Sequence, residues 1–341
     1  MIKKRNLSPD LVQWIMTQSG LDIGTGDLHF VAPASSTTSH YRGWLQSMGV
    51  ENDYKIHTTI QAALDKTVAY RNDVVLVFPG TYAESLVKDL ANVQVIGIGR
   101  TGTRPSARVN PVATAAFTGE FINSGFRNLE FKSPSTPTAH CSAIVFETNT
   151  STLYNMQQSY VEDCFFSAGA VDDAYESTGI TLGALAAANT TWEFAEYSSI
   201  RRNVFGSIGG RTKQLTIAIS LASQETTAAG CEYKGMTGCD ISYNKINAQA
   251  IGIELNYGAT GGTGSYITHN HIGSAENANG PALYGIRFAS AAADQLTMVT
   301  DNRVLSDGTP ISNGSTTGFV LGNWVGTSGT LTHQLPTIPA T

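Results

Sequence analysis

Charge is scarce in this chain. Only 14 % of its residues are Asp, Glu, Lys or Arg, against roughly 25 % in an ordinary soluble domain, so its surface relies on Ser, Thr, Asn, Gln and Gly. No Lys/Arg cluster occurs beyond Lys3, Lys4 and Arg5, and the formal net charge is −6, which together argue against a nucleic-acid surface. No apolar run is long enough to span a bilayer, and the basic start MIKKRNLSPD has no apolar stretch of signal-peptide length before Pro9. The expectation is a cytoplasmically made protein with no membrane partner. The cysteines Cys141, Cys164, Cys231 and Cys239 lack C-x-x-C spacing, which removes the common zinc and redox motifs. Cys231 and Cys239 remain a candidate loop disulfide, and no metal or cofactor is expected.

What is present is a repeat. ITHNHI at 267–272, VTDNRV at 299–304, VLGNWV at 320–325, IRRNVF at 200–205 and ISYNKI at 241–246 share one frame: aliphatic, two variable residues, Asn, one variable residue, apolar. VEDCFF at 161–166 and FRNLEF at 126–131 keep the frame with Cys164 and Leu129 in the fourth position. The histidines of the first example are therefore incidental, and His269 and His271 read as outward residues rather than metal ligands. The fourth positions Asn203, Asn244, Asn270, Asn302 and Asn323 lie 41, 26, 32 and 21 residues apart. Unequal spacing in a fixed frame means coils of constant cross-section with loops of different length at the corners. Second strands accompany most coils: AIVFET at 143–148, GITLGA at 179–184, LTIAIS at 215–220, AIGIEL at 250–255 and YGIRFA at 284–289. Short parallel strands without intervening helices describe a parallel β-helix, in which the five asparagines would stack as an inward ladder and Ile267, Ile272, Val299, Val304, Val320 and Val325 would form aliphatic stacks.

The first coil needs a cover. HTTIQAALDKTVAYRNDVVLVFPGTYAESL at 57–86 supplies one: Thr58 or Thr59 as N-cap, a helix over 57–72 with Ile60, Ala63, Leu64 and Val68 on one face, then a strand at Val74 to Phe78 and a Pro79-Gly80 turn. The run TIQAALD, VVLVFPGTYAESL and VQVIGIG (93–99) resembles the cap and first coil of the pectin-lyase-like right-handed parallel β-helix superfamily, and the Asn-bearing frames extend the resemblance to about residue 327. It implies an all-β, right-handed, single-stranded parallel β-helix with an N-terminal capping helix and an N-terminal helical anchor segment. The domain reading is 1–56 anchor arm, 57–327 β-helix and 328–341 tail.

For an enzyme the resemblance implies either an acidic calcium cluster with an Arg base or clustered aspartates with Gly-His-Gly and Arg-x-Lys motifs. The sequence contains neither set. Its nearest acidic group is Asp172, Asp173 and Glu176 in AVDDAYES, with Tyr175 and Trp192 as aromatic companions; adjacent aspartates in a loop are ordinarily solvated turn residues. Arg201 and Arg202 are placed to pair with Glu162 or Asp163 of the preceding coil. TGGTGS at 260–265 lacks the Lys-Ser/Thr ending of a phosphate loop.

NLSPDLVQWIMTQSGLD at 6–22 predicts a helix with Ser8 as N-cap, Pro9 in its first turn, Gly20 as terminator and a stripe of Leu11, Trp14 and Ile15. It either folds back on its own chain or docks on another subunit, with Tyr41, Trp44 and Leu45 as a second docking turn. The tail has little apolar content. These features point to a non-enzymatic structural protein of a tailed-phage virion, a capsid decoration, head spike or fibre subunit, expected to be a homo-oligomer, a trimer, partnered by capsid or tail proteins. The alternative is a tailspike-type polysaccharide depolymerase or glycan-binding β-helix that meets a host surface glycan.

Overall fold

The computed structural model describes residues 26–33, 39–47, 55–102, 104–111, 115–134, 141–147, 154–168, 177–184, 191–206, 215–222, 232–256, 264–273, 281–288, 297–313, 318–327 and 331–334. Apolar residues at alternate positions of short strands leave only a few inward side chains per strand, one in Tyr160–Glu162 and two in Ser177–Ala184 for example, so each strand depends on its neighbours above and below. The described strands form four long sheets, here A to D, with 11, 10, 8 and 5 strands, and one two-stranded hairpin.

One turn of the chain shows the plan. Gly125–Arg127 lies in sheet A, Glu130–Lys132 in B, Cys141–Glu147 in C and Tyr154–Gln157 in D; the chain then re-enters A at Tyr160–Glu162. Every pairing between successive coils is parallel, with Phe126 beside Val161, Phe131 beside Phe166 and Phe121 beside Met156. This is a single-stranded parallel β-helix. The second strands read from the sequence make up sheet C, and each Asn-bearing frame straddles the corner from A to B.

The interior is one continuous apolar cluster. Its early coils are filled by phenylalanine: Phe131, Phe166 and Phe205 stack at centroid distances of 5.7 and 4.6 Å, with Phe117, Phe121 and Phe126 edge-on or tilted beside them. In later coils the same column continues as Ile246, Ile272, Val304 and Val325. Sheet D ends with Glu232–Thr237 among the described residues, so smaller side chains fill coils that lack a fourth wall. Ile267, Ile272, Val299, Val304 and Val320 are fully buried and Val325 is half-buried. Full burial contributes roughly 1.5 to 3 kcal/mol per side chain. Gly285 shows how closely the coils pack: a Cβ there would fall 2.1 Å from Val304 and 2.5 Å from the Pro310 carbonyl.

The N-terminal end departs from the sequence reading in three ways. Sheet A starts upstream of residue 57, because Leu28–Val31 lies between Ile56–His57 and Asp73–Val77. The capping helix α2 spans only Ile60–Leu64, with Thr59 Oγ1 accepting from the Ala62 N–H. It stops because Lys66 and Thr67 bond three residues back, and the Asp73 carboxylate takes the Val68 N–H at 2.8 Å. Val68 is consequently 50 % exposed instead of joining Ile60, Ala63 and Leu64 in the core. Finally, helix α1 (Ser39–Ser47) lies on the outer side of sheet A, where Leu45 is fully buried and Tyr41 and Trp44 flank Phe78 in a second apolar cluster with Phe30, Leu76 and Ile96. Leu45 has no surface left for a partner, since the outward Phe and Ile of the first strands must themselves be covered.

Beneath that end lies a buried polar group. His29 Nδ1 is 3.2 Å from His57 Nε2, and Lys55 and Arg71 bridge Asp27 and Asp73 at 2.7 to 3.0 Å. Burial first, then the charges of Lys55 and His57, hold His29 at about 4, below its ordinary 6.5. A lowered folded value means the unfolded chain binds the extra proton, so this contribution is present above pH 6.5 and is lost as pH falls toward 4. Amide protection at residues 28–31 and 56–57, corrected for intrinsic exchange, should therefore fall between pH 7 and pH 5, and His29→Gln should flatten the dependence. A profile unchanged by His29→Gln would refute the assignment.

Candidate functional site

The corner between sheets A and B is the most regular feature of the molecule. Its first residue adopts the left-handed conformation in each coil: Asn128, Asp163, Arg202, Tyr243, His269 and Asp301 have φ of 55 to 57°, and Gly322 has 64°. That conformation costs most residues energy but turns the chain sharply, and it directs the next side chain inward. The next residue is Leu129, Cys164, Asn203, Asn244, Asn270, Asn302 or Asn323.

The five asparagines form a hydrogen-bonded column. The backbone N–H and Nδ2 of Asn203 donate to Asn244 Oδ1 at 3.0 and 3.1 Å, and the same pair of bonds links Asn244 to Asn270, Asn270 to Asn302 and Asn302 to Asn323. Each Nδ2 also donates to a carbonyl of the coil before it, as Asn270 does to Ile241 at 2.8 Å. Every member is buried. Cys164 starts the column by donating its N–H to Asn203 Oδ1 and its thiol to the Glu162 carbonyl. Burial pushes that thiol up to about 12, which makes it unreactive.

A second column went unnoticed in the sequence. At the corner entering sheet A, Ser124 N–H donates to Ser159 Oγ, Ser159 N–H to Ser198 Oγ and Cys239 N–H to Ser265 Oγ, each at 3.1 Å. The available signal was spacing, since Ser198, Cys239, Ser265 and Thr297 each stand five residues before a ladder asparagine. Cys239 is a free buried thiol, and Cys231 lies outside the described residues.

Outside the same corner, charge is collected on buried carboxylates. Glu162, with a side chain 2 % exposed, receives Arg127, Arg201 and Arg202 at 3.0, 2.5 and 2.8 Å, and Arg202 also reaches Asp163 at 3.1 Å. The hydrogen bond to Asp163 is the first cause of a raised Arg202 value. Glu130 is fully buried 3.0 Å from Arg108 without the alignment of a hydrogen bond, so charge alone holds that pair. Arg100 donates to Asn128 Oδ1 and to the Asp163 carbonyl, both at 2.7 Å. Arg104 covers the Phe165 ring at 4.3 Å and Arg127 covers Tyr160 at 5.3 Å. The pairing of Arg201 and Arg202 with Glu162 and Asp163 was legible in the sequence; the contribution of Arg100 and Arg104 through the hairpin Arg100–Thr101/Arg104–Pro105 was not.

The other sequence-derived candidates are dispersed. His269 is exposed and stacks on Tyr243 at 4.9 Å, while His271 is half-buried between Lys245 and Arg303 in sheet B. Burial and those two cations lower the His271 value. Among the described residues no group of three or more His, Cys, Asp and Glu is placed to hold a metal ion. Asp172, Asp173 and Glu176, with Leu11, Trp14 and Ile15, lie outside the described residues.

No protein-family model and no curated protein sequence matches the chain. Solved structures with a similar chain path include the Escherichia coli protein ybhc (12 % identity, 88 % of this chain and 81 % of that one, TM-score 0.45). Pectin methylesterase from Aspergillus niger gives 12 % identity over 89 % and 86 % of the chains and a TM-score of 0.44. ORF18 of Geobacillus virus E2 gives 11 % identity over 85 % and 62 % and a TM-score of 0.36. The strand registers and corner columns of this chain are by themselves those of a single-stranded parallel β-helix.

Asn270→Ala strips an acceptor from the Asn244 N–H and a donor from the Ile241 carbonyl, both buried, and should lower stability by about 3 kcal/mol or more in chemical denaturation. His269→Ala should change it by no more than about 0.5 kcal/mol. Equal effects from the two would mean that the column does not organise the corner.

Proposed function

We propose that this chain is a non-catalytic structural protein of a tailed-bacteriophage virion, a capsid-decoration, head-spike or fibre subunit that forms a homotrimer and exposes its β-helix from a docked N-terminal end. The observation that carries this reading is the uninterrupted column from Cys164 to Asn323, in which every rung bonds to the coil before it and the coil after it. A side-chain spine of this kind makes a stiff rod from a chain with little charge. The carboxylates Glu130 and Glu162 are engaged with arginines of neighbouring coils, so they serve cohesion between coils and not acid–base chemistry.

Mass spectrometry of purified particles should find the chain in the virion, and cryo-electron microscopy should place its N-terminal end against a capsid or tail protein, with the rod projecting outward. Absence from the particle overturns the proposal. So does cleavage of a polysaccharide by the isolated chain that disappears with Asp172→Asn and Asp173→Asn, which establishes the depolymerase reading instead.

A further inference from the structure

The cations of the A/B corner outnumber its anions. Among the described residues, Arg100, Arg104, Arg108, Arg127, Arg201 and Arg202 surround Glu130, Glu162 and Asp163, an excess of three positive charges within that set on a chain whose net charge is −6. Two of the carboxylates are buried, whereas the side chains of Arg104, Arg108, Arg127, Arg201 and Arg202 are 29 to 42 % exposed. Buried Glu162 thus acts as a fixed post that hydrogen-bonds the guanidinium forks of Arg127, Arg201 and Arg202, whose side chains remain partly exposed. Fixed forks lose little freedom on binding and match carboxylates in geometry.

We infer that this arginine platform is a docking surface for an acidic protein, on the geometry of five guanidiniums gathered at buried Glu130 and Glu162, with Arg100 bonded to Asn128 and the Asp163 carbonyl beside them. The inference deepens the virion reading, in which that protein is a neighbouring subunit of the particle. The surface beside the platform selects a protein over other anions. The platform is continuous with apolar surface: Arg127 pairs in register with Ile96, which shares the outer cluster with the half-buried Tyr41 and Trp44. Arginine, tyrosine and tryptophan together are the composition of a protein–protein hot spot.

The test titrates fluorescein-labelled poly-L-glutamate against the full chain by anisotropy. The variant Arg100→Gln with Arg202→Gln leaves Glu130 its two arginines and leaves Glu162 with Arg127 and Arg201, so the fold is retained. It should weaken binding at least tenfold. The control Lys245→Gln with Arg303→Gln removes the same charge from exposed residues that have no ion-pair partner among the described residues, and should change binding less than twofold. Equal loss in both variants overturns the platform, since net charge alone would explain it. Binding of hyaluronan or single-stranded DNA in preference to poly-L-glutamate overturns the protein assignment. If the chain is absent from purified particles while poly-L-glutamate still distinguishes the two variants, the virion reading fails and the platform stands.

Discussion

A buried amide has to find hydrogen-bond partners or destabilise the fold by about 1 to 3 kcal/mol for each group left alone. In this chain the partners of each inward asparagine lie only in the coils above and below, and that constraint sets the register of the whole solenoid. A coil that slipped by one residue would leave buried N–H groups and amides unpaired at two levels, and would turn its inward side chains outward. Loops between coils can therefore differ in length without disturbing the stack. The spacing between successive asparagines varies from 21 to 41 residues, yet the pairs of bonds joining them keep one pattern throughout.

The same stacking operates on the outside of the corner with charge in place of amides. Glu162 lies between Arg127 of the coil before and Arg201 of the coil after, so ion pairs run along the solenoid and not across a groove. Direct opposition of unlike charges stabilises adjacent strands modestly, and burial of the acid raises what would be lost if an arginine were removed. The arrangement adds cohesion and leaves an excess of positive charge on an otherwise acidic molecule. Cohesion between coils and the proposed docking surface are thus two results of one placement of arginines.

The N-terminal end solves a different problem. A first coil has nothing beneath it, and here α2 closes the inner core while α1 covers the outer side of sheet A. Covering both sides shuts Leu45 and the His29–His57 pair away from solvent. The pair is stable only while both rings stay neutral, which ties this end, unlike the asparagine column, to the pH of its surroundings.

Much of the architecture was legible because it rests on local repetition. The frame around Asn203, Asn244, Asn270, Asn302 and Asn323 declared parallel coils, the inward aliphatics and the asparagine positions, since a residue recurring in a fixed frame must meet its equivalents. The pairing of Arg201 with Glu162 followed from the same register. What the sequence could not determine depends on contacts between residues distant along the chain. The serine column was hidden because serine is common in turns everywhere, and only stacking distinguishes Ser159 from a solvated loop residue. The end of α2 at Leu64 was hidden because Asp73, nine residues further on, accepts the Val68 N–H that would otherwise continue the helix. The fold of α1 onto Phe78, and the convergence of Arg100 and Arg104 on a corner built from Asn128, Glu130 and Asp163, were decided by tertiary structure alone, because a hairpin and a helix without repeat partners carry no periodic mark of where they will lie.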